Sequence, residues 1–129
     1  MRIFKNAWFV LFARVQKISD DALREAVRRV ESGQVDADLG GGVVKQRIAR
    51  PGQGKSKGYR TIILLREGHR AFFVYGFAKS DRANIREGEN EQFRKMAKYV
   101  LGLSDTQLNI LISKGQFEEV ESDGEEVSK

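Results

Sequence analysis

Three short segments rich in β-branched and aromatic residues, Val43 to Ala49, Tyr59 to Arg66 and Ala71 to Phe77, constrain the fold of this chain more than any other feature. Each has the length and the residue types of a strand. The last two are separated only by Glu67-Gly68-His69-Arg70, a short turn, so an antiparallel meander is predicted at the centre of the molecule.

Around the meander the periodicity is helical. Ser19 or Asp20 can cap a run in which Leu23, Ala26, Val27 and Val30 recur at helical spacing before Gly33. Phe93, Met96, Ala97, Val100 and Leu101 mark a second amphipathic helix ending at Gly102, and the capping box Ser104-Asp105-Thr106-Gln107 opens a third that carries Leu108, Leu111 and Ile112 before Gly115. Residues 2–5 read as a short opening strand. Ala7 to Val15 is apolar nearly all round, which on periodicity alone fits a buried strand or a buried helix; helix is the expectation. Glycines 40–42 read as a flexible joint. With 129 residues, no repeat and no linker, one domain is expected over residues 1–116, followed by an acidic, mobile tail at 117–129. The order of elements predicts an α+β fold, an antiparallel sheet with helices packed on one face and the other face free for a ligand.

Charge is unevenly placed along this frame. The chain carries 23 Lys plus Arg against 18 Asp plus Glu, a formal +5. Residues 117–129 hold six acids and one base, which leaves residues 1–116 at +10. No acid occurs between Asp38 and Glu67, where seven bases do: Lys45, Arg47, Arg50, Lys55, Lys57, Arg60 and Arg66. Solubility alone would intersperse the two signs, so this window points to an anionic partner, with phosphate the natural candidate. Strand alternation puts Lys45 and Arg47 on one face and Val44, Gln46 and Ile48 on the other. Lys79 and Arg82 follow the third strand, and Tyr59 and Tyr75 are available as stacking partners for bases.

Several chemistries are excluded or disfavoured. Without cysteine there is no disulfide, thiolate nucleophile or Cys-type zinc site. A single histidine, His69, rules out a multi-His metal site and reads as a turn residue. Gly54-Lys55-Ser56 copies the end of a nucleotide-binding P-loop, but Ala49 stands where its first glycine belongs and a strand follows instead of a helix. Asp36, Asp38, Glu87, Glu89 and Glu91 read as structural or surface carboxylates. The apolar run Ala7 to Ala13 imitates a signal peptide, but Arg14 and Lys17 cut it short, so neither export nor a membrane span is expected. Cleavage of RNA by its own 2′-OH would remain open to such a surface: Arg and Lys can stabilise a phosphorane without a metal, and a lysine crowded by cations holds its proton less tightly.

Four strings taken together, Asp36 to Gly42, Val44 to Arg50, Gly54 to Thr61 and Phe73 to Lys79, resemble the RelE superfamily of bacterial toxins, and within it the HigB-like branch, over about residues 2–115. The resemblance implies a small α+β toxin that enters the ribosomal A site and cleaves mRNA there without metal or cofactor. Its partners would be mRNA, ribosomal RNA and a cognate antitoxin, in the cytoplasm and away from membranes. Carried over residue by residue, Lys45, Arg47, Arg60 and Lys79 are the expected catalytic set, and Arg50, Lys55, Lys57 and Arg82 the expected RNA-binding set. The chain departs from the pattern twice. A stacking tyrosine near the C-terminus of some relatives has no counterpart, Tyr99 lying within a helix, and Lys57 stands where the branch often carries glycine. The rival readings are a non-catalytic RNA- or DNA-binding module, and an interaction protein that offers its basic face to an acidic partner.

Overall fold

The structure is a computed structural model that describes residues 1–50 and 54–121, with the backbone alone at 54–57. Strand β1 (Arg2–Asn6) runs into α1 (Ala7–Gln16), whose start is capped by the Asn6 side chain accepting the Phe9 N–H at 2.8 Å. Helix α2 (Asp20–Glu31) is capped by Ser19. The chain then forms β2 (Ala37–Gly40), β3 (Val43–Arg50), β4 (Gly54–Arg66) and β5 (Arg70–Ala78), followed by α3 (Glu87–Val100), α4 (Asp105–Ser113) and β6 (Phe117–Glu119). The six strands make one sheet in the order β2-β3-β4-β5-β1-β6, in which only β1 and β5 run parallel.

The fold is α+β, but the helices do not share one face. On one side α1 and α2 bury Phe9, Ala13, Leu23, Ala26, Val27 and Val30 against Val44, Ile48, Tyr59, Ile63 and Phe73. On the other, α3 and α4 bury Phe93, Ala97, Val100 and Leu108 against Phe4, Val43, Ile62, Leu64 and Phe72. The cause is legible in β5, which is buried at every position but Tyr75. A run such as Ala71-Phe72-Phe73-Val74 is apolar on both sides and needs a cover on each. A sheet face left wholly free is therefore overturned, together with the one-sided packing.

Three further differences are local. The glycines at 40–42, expected as a joint, make the tight turn from β2 to β3, all three at positive φ, and so add an edge strand. Strand β4 begins at Gly54 rather than Tyr59, so most of residues 50–58, which connect the first two expected strands, belongs to the sheet, while residues 51–53 lie outside the described residues. Part of the expected tail is also folded: Phe117–Glu119 pairs with β1, Phe117 and Val120 are buried, and Glu119 forms a two-point ion pair with Arg2 at 2.9 and 3.0 Å. The acids at 123, 125 and 126 lie outside the described residues. Ala7 to Gln16 is helical, as expected, and His69 sits in the β4–β5 turn. Among the described residues no helix is long and apolar enough to cross a membrane.

Candidate functional site

The register of the meander decides which cations meet. Arg47 of β3 lies directly opposite Arg60 of β4, and Arg60 opposite Phe77 of β5. Two residues along, Lys45 faces Ile62, and Ile62 faces Tyr75. Alternation places Lys45, Arg47 and Arg60 on the same face as Ile62, Leu64 and Phe77, the side covered by α3 and α4. They occupy the end of that face away from the Val43, Leu64 and Phe72 layer, so a basic patch opens where the helical cover stops.

Each of these cations has a different degree of support. Arg47 donates its backbone N–H to Asp36 Oδ2 at 2.6 Å and its guanidinium to Asp36 Oδ1 at 3.4 Å. Burial pushes the Asp36 carboxyl up, but the two hydrogen bonds from Arg47 and the charges of Arg47 and Arg29 outweigh it, and the group titrates below its ordinary range. Asp36 is itself held in place, because its N–H donates to Gln46 Oε1 at 3.0 Å and Gln46 is fully buried. The structural role expected of Asp36 is therefore that of an anchor for Arg47. Lys45 Nζ donates to Asn84 Oδ1 at 2.8 Å.

Arg60 has no such support. Its Nη1 is buried without a hydrogen-bond partner among the described residues. Burial, and then the charge of Arg47, push its proton affinity below the ordinary arginine value, with Asp36 opposing. Two like charges directly opposite on one sheet face destabilise the free protein, and an anion between them would remove both penalties at once.

Arg82 is held most firmly. Glu89 of α3 accepts from its Nη1 and Nη2 at 3.1 and 2.5 Å, the Tyr75 hydroxyl accepts from Nη1 at 3.1 Å, and the guanidinium lies 5.4 Å from the centre of the Phe77 ring. The Arg82 hydrogen bonds, then the Arg86 N–H, take the Glu89 carboxyl from its ordinary 4.5 down to about 2. Because the folded value is the lower one, this contribution to stability is complete above about pH 4.5 and is lost as pH falls towards 2. Acid melting curves of the wild type and Glu89→Gln should therefore converge over that window, and a constant gap between them down to pH 2 would contradict the assignment.

Of the remaining expected residues, Lys79 and Arg50 are tied to this group by no side-chain hydrogen bond among the described residues. Lys79 is exposed just past β5, with its backbone N–H 3.5 Å from the Gly58 carbonyl oxygen. The Arg50 guanidinium lies 5.6 Å from the Tyr59 ring centre, and Tyr59 is packed on the α1 side of the sheet. Arg50 thus faces away from the patch, as strand alternation requires of a residue two positions beyond Ile48 and three beyond Arg47. Tyr59, expected as a stacking platform, is 1% exposed and donates its hydroxyl hydrogen to Gln16. Tyr75 is half-buried between Trp8, Phe77 and Phe93. The side chains of Lys55 and Lys57 lie outside the described residues. Asn84, which holds Lys45, had no signal in the sequence, since a single asparagine in a polar loop is ordinary. Among the described residues no group of three His, Cys, Asp or Glu could hold a metal ion.

No curated protein matches the chain. The family model describing the RelE toxin of the RelE/RelB toxin–antitoxin system matches residues 1–120, spanning β1 to β6 and the whole basic patch, and the chain belongs to that family.

Proposed function

We propose that this toxin is a ribosome-dependent mRNA endonuclease of the HigB-like branch, acting in the cytoplasm on mRNA in the ribosomal A site and restrained by its cognate antitoxin. The observation that carries the reading is the buried, unpaired Nη1 of Arg60 directly across the strand from Arg47, two guanidinium groups whose mutual cost a phosphate would relieve.

That geometry supports cleavage by the RNA's own 2′-hydroxyl. The 2′-oxygen attacks the adjacent phosphorus, a new O2′–P bond forms, and the P–O5′ bond breaks. A base takes the 2′-OH proton, and an acid delivers a proton to the departing O5′, leaving a 2′,3′-cyclic phosphate and a 5′-hydroxyl. Negative charge builds on the non-bridging oxygens in the phosphorane, where Arg60 and Arg47 stabilise it. Lys45, held beside Arg47 by Asn84, and Lys79 are the residues for proton transfer. Lys55 and Lys57 are further cations available to the RNA backbone, and ribosomal RNA is a second phosphate-rich partner. Messenger RNA incubated with the purified protein should be cut when it is being translated and survive when it is free. Salt-sensitive binding of both RNAs without any cutting would instead support a non-catalytic RNA-binding module.

A further inference from the structure

Arg82 is the most engaged cation in the site, and its partners tie three elements together. A guanidinium has five N–H donors. Here Nε donates to the Asn84 carbonyl at 3.1 Å, and the other three bonds run to Glu89 and Tyr75 at 2.5 to 3.1 Å. The side chain thus joins β5 through Tyr75 and Phe77, α3 through Glu89, and the 79–86 connection through Asn84. The Asn84 side-chain oxygen in turn accepts the Ile85 N–H and the Lys45 ammonium, both at 2.8 Å. A phosphate entering the patch finds Arg60 with an unused buried donor, whereas four of the five N–H donors of Arg82 are already committed and its charge is matched by a bidentate carboxylate.

We propose that Arg82 is a positioning residue: held by Glu89 and Tyr75, it fixes the 79–86 connection so that Asn84 sets the Lys45 ammonium beside Arg47 and Arg60, and it does not itself bind RNA phosphate. The catalytic consequence rests on the reading above, in which Lys45 takes part in cleavage. The placement of Lys45 does not.

Two measurements separate this from a direct phosphate contact. Binding of a short single-stranded RNA with 2′-O-methyl groups, which cannot be cleaved, is followed against salt. Loss of one phosphate contact lowers the slope of log K against log salt by about 0.7 for a single strand. Arg82→Gln is expected to keep the wild-type slope. On translated mRNA, Arg82→Gln and Asn84→Ala should each lower kcat by about 10- to 100-fold with KM little changed, and the double variant should lose no more than either alone. Asn84 is exposed, so its variant tests the same chain of contacts if Arg82→Gln fails to fold. In the free protein, the ¹H–¹⁵N signal of the Lys45 ammonium should be visible in the wild type and lost in both variants. A slope shallower by about 0.7 in Arg82→Gln, or a Lys45 signal unchanged in both variants, would overturn the proposal. Because the ammonium signal needs no RNA, it decides the matter even if the wild type cuts nothing, a result that would count against the proposed function alone.

Discussion

Replacing Arg60 with methionine is expected to abolish cleavage while leaving the protein folded and slightly more stable. Arg60 contributes little to the free fold, since its Nη1 is buried without a partner among the described residues and it faces Arg47 directly across the sheet. Methionine keeps most of the side-chain volume against Phe77 and removes both the unsatisfied donor and the like-charge contact. A gain of about 1 kcal/mol follows from the hydrogen-bond deficit, which for a domain of this size raises Tm by roughly 3 to 5 °C. Activity moves the opposite way. Loss of one preorganised donor to developing negative charge typically costs about 10²- to 10³-fold in kcat. Calorimetry and a cleavage assay on the same preparation read both effects, and a variant that is less stable yet still active would refute the assignment of Arg60.

Gly58→Ala should have the largest effect on stability. A Cβ at position 58 would lie 2.0 Å from the Ile48 carbonyl oxygen and 3.0 Å from the Arg50 nitrogen, both backbone atoms of the paired strand. Nothing there can rotate away, so β3 and β4 must part. The cost is expected at the upper end of the overpacking range, about 3 kcal/mol, out of a total that is typically about 5–15 kcal/mol. Because Ile48 adjoins Arg47 and Gly58 stands two residues before Arg60, the parting strands would also separate the two guanidinium groups. Gly88→Ala is the contrasting case. That glycine lies in the first turn of α3 with nothing within 4 Å of a new Cβ, and alanine there should stabilise by about 0.5 kcal/mol. Urea midpoints shifted in opposite directions would confirm the pair, and an unshifted midpoint for Gly58→Ala would show that the strands can yield at that point.

The meander, α2, α3 and α4 were legible in the sequence because each rests on local signals: a period of two with a short turn, a period near four with caps, and a capping box. The alternation of Lys45 and Arg47 was likewise enough to put them on one face. What could not be read was long-range. Pairing of Arg47 with Arg60 needs the register, which a one-residue slip would reverse. The side taken by Arg50, by contrast, was open to the same alternation that pairs Lys45 with Arg47, since position 50 shares the face of Ile48 and so lies over Tyr59. Strand β6 is three residues long inside an acidic stretch, and its place beside β1 comes from burial of Phe117 and Val120 and from the Arg2–Glu119 pair, partners more than a hundred positions apart. Packing on both faces is a long-range property as well: an apolar run such as Ala71 to Val74 carries strand character locally, while the helices that cover its two sides come from opposite ends of the chain.

The same limits explain the carboxylates. Asp36 and Glu89 looked structural from sequence, and they are, but the groups they hold are the cations of the site. Three cations of the patch, Lys45, Arg47 and Arg82, are thus anchored by Asn84, Asp36 and Glu89, and Arg60 is left with a donor to spare. Preorganised donors cost no rearrangement when charge develops on a phosphate, and in the proposed mechanism that charge arrives at Arg60 Nη1, which has no partner among the described residues.

The central claim is that this arginine pair cleaves ribosome-bound mRNA through its own 2′-hydroxyl. The most direct test maps the RNA ends produced when the purified protein is added to translating ribosomes, with Arg60→Met run alongside. The account predicts paired 2′,3′-cyclic phosphate and 5′-hydroxyl ends within translated codons for the wild type and none for the variant; 3′-hydroxyl and 5′-phosphate ends, or equal cutting by both proteins, would contradict it.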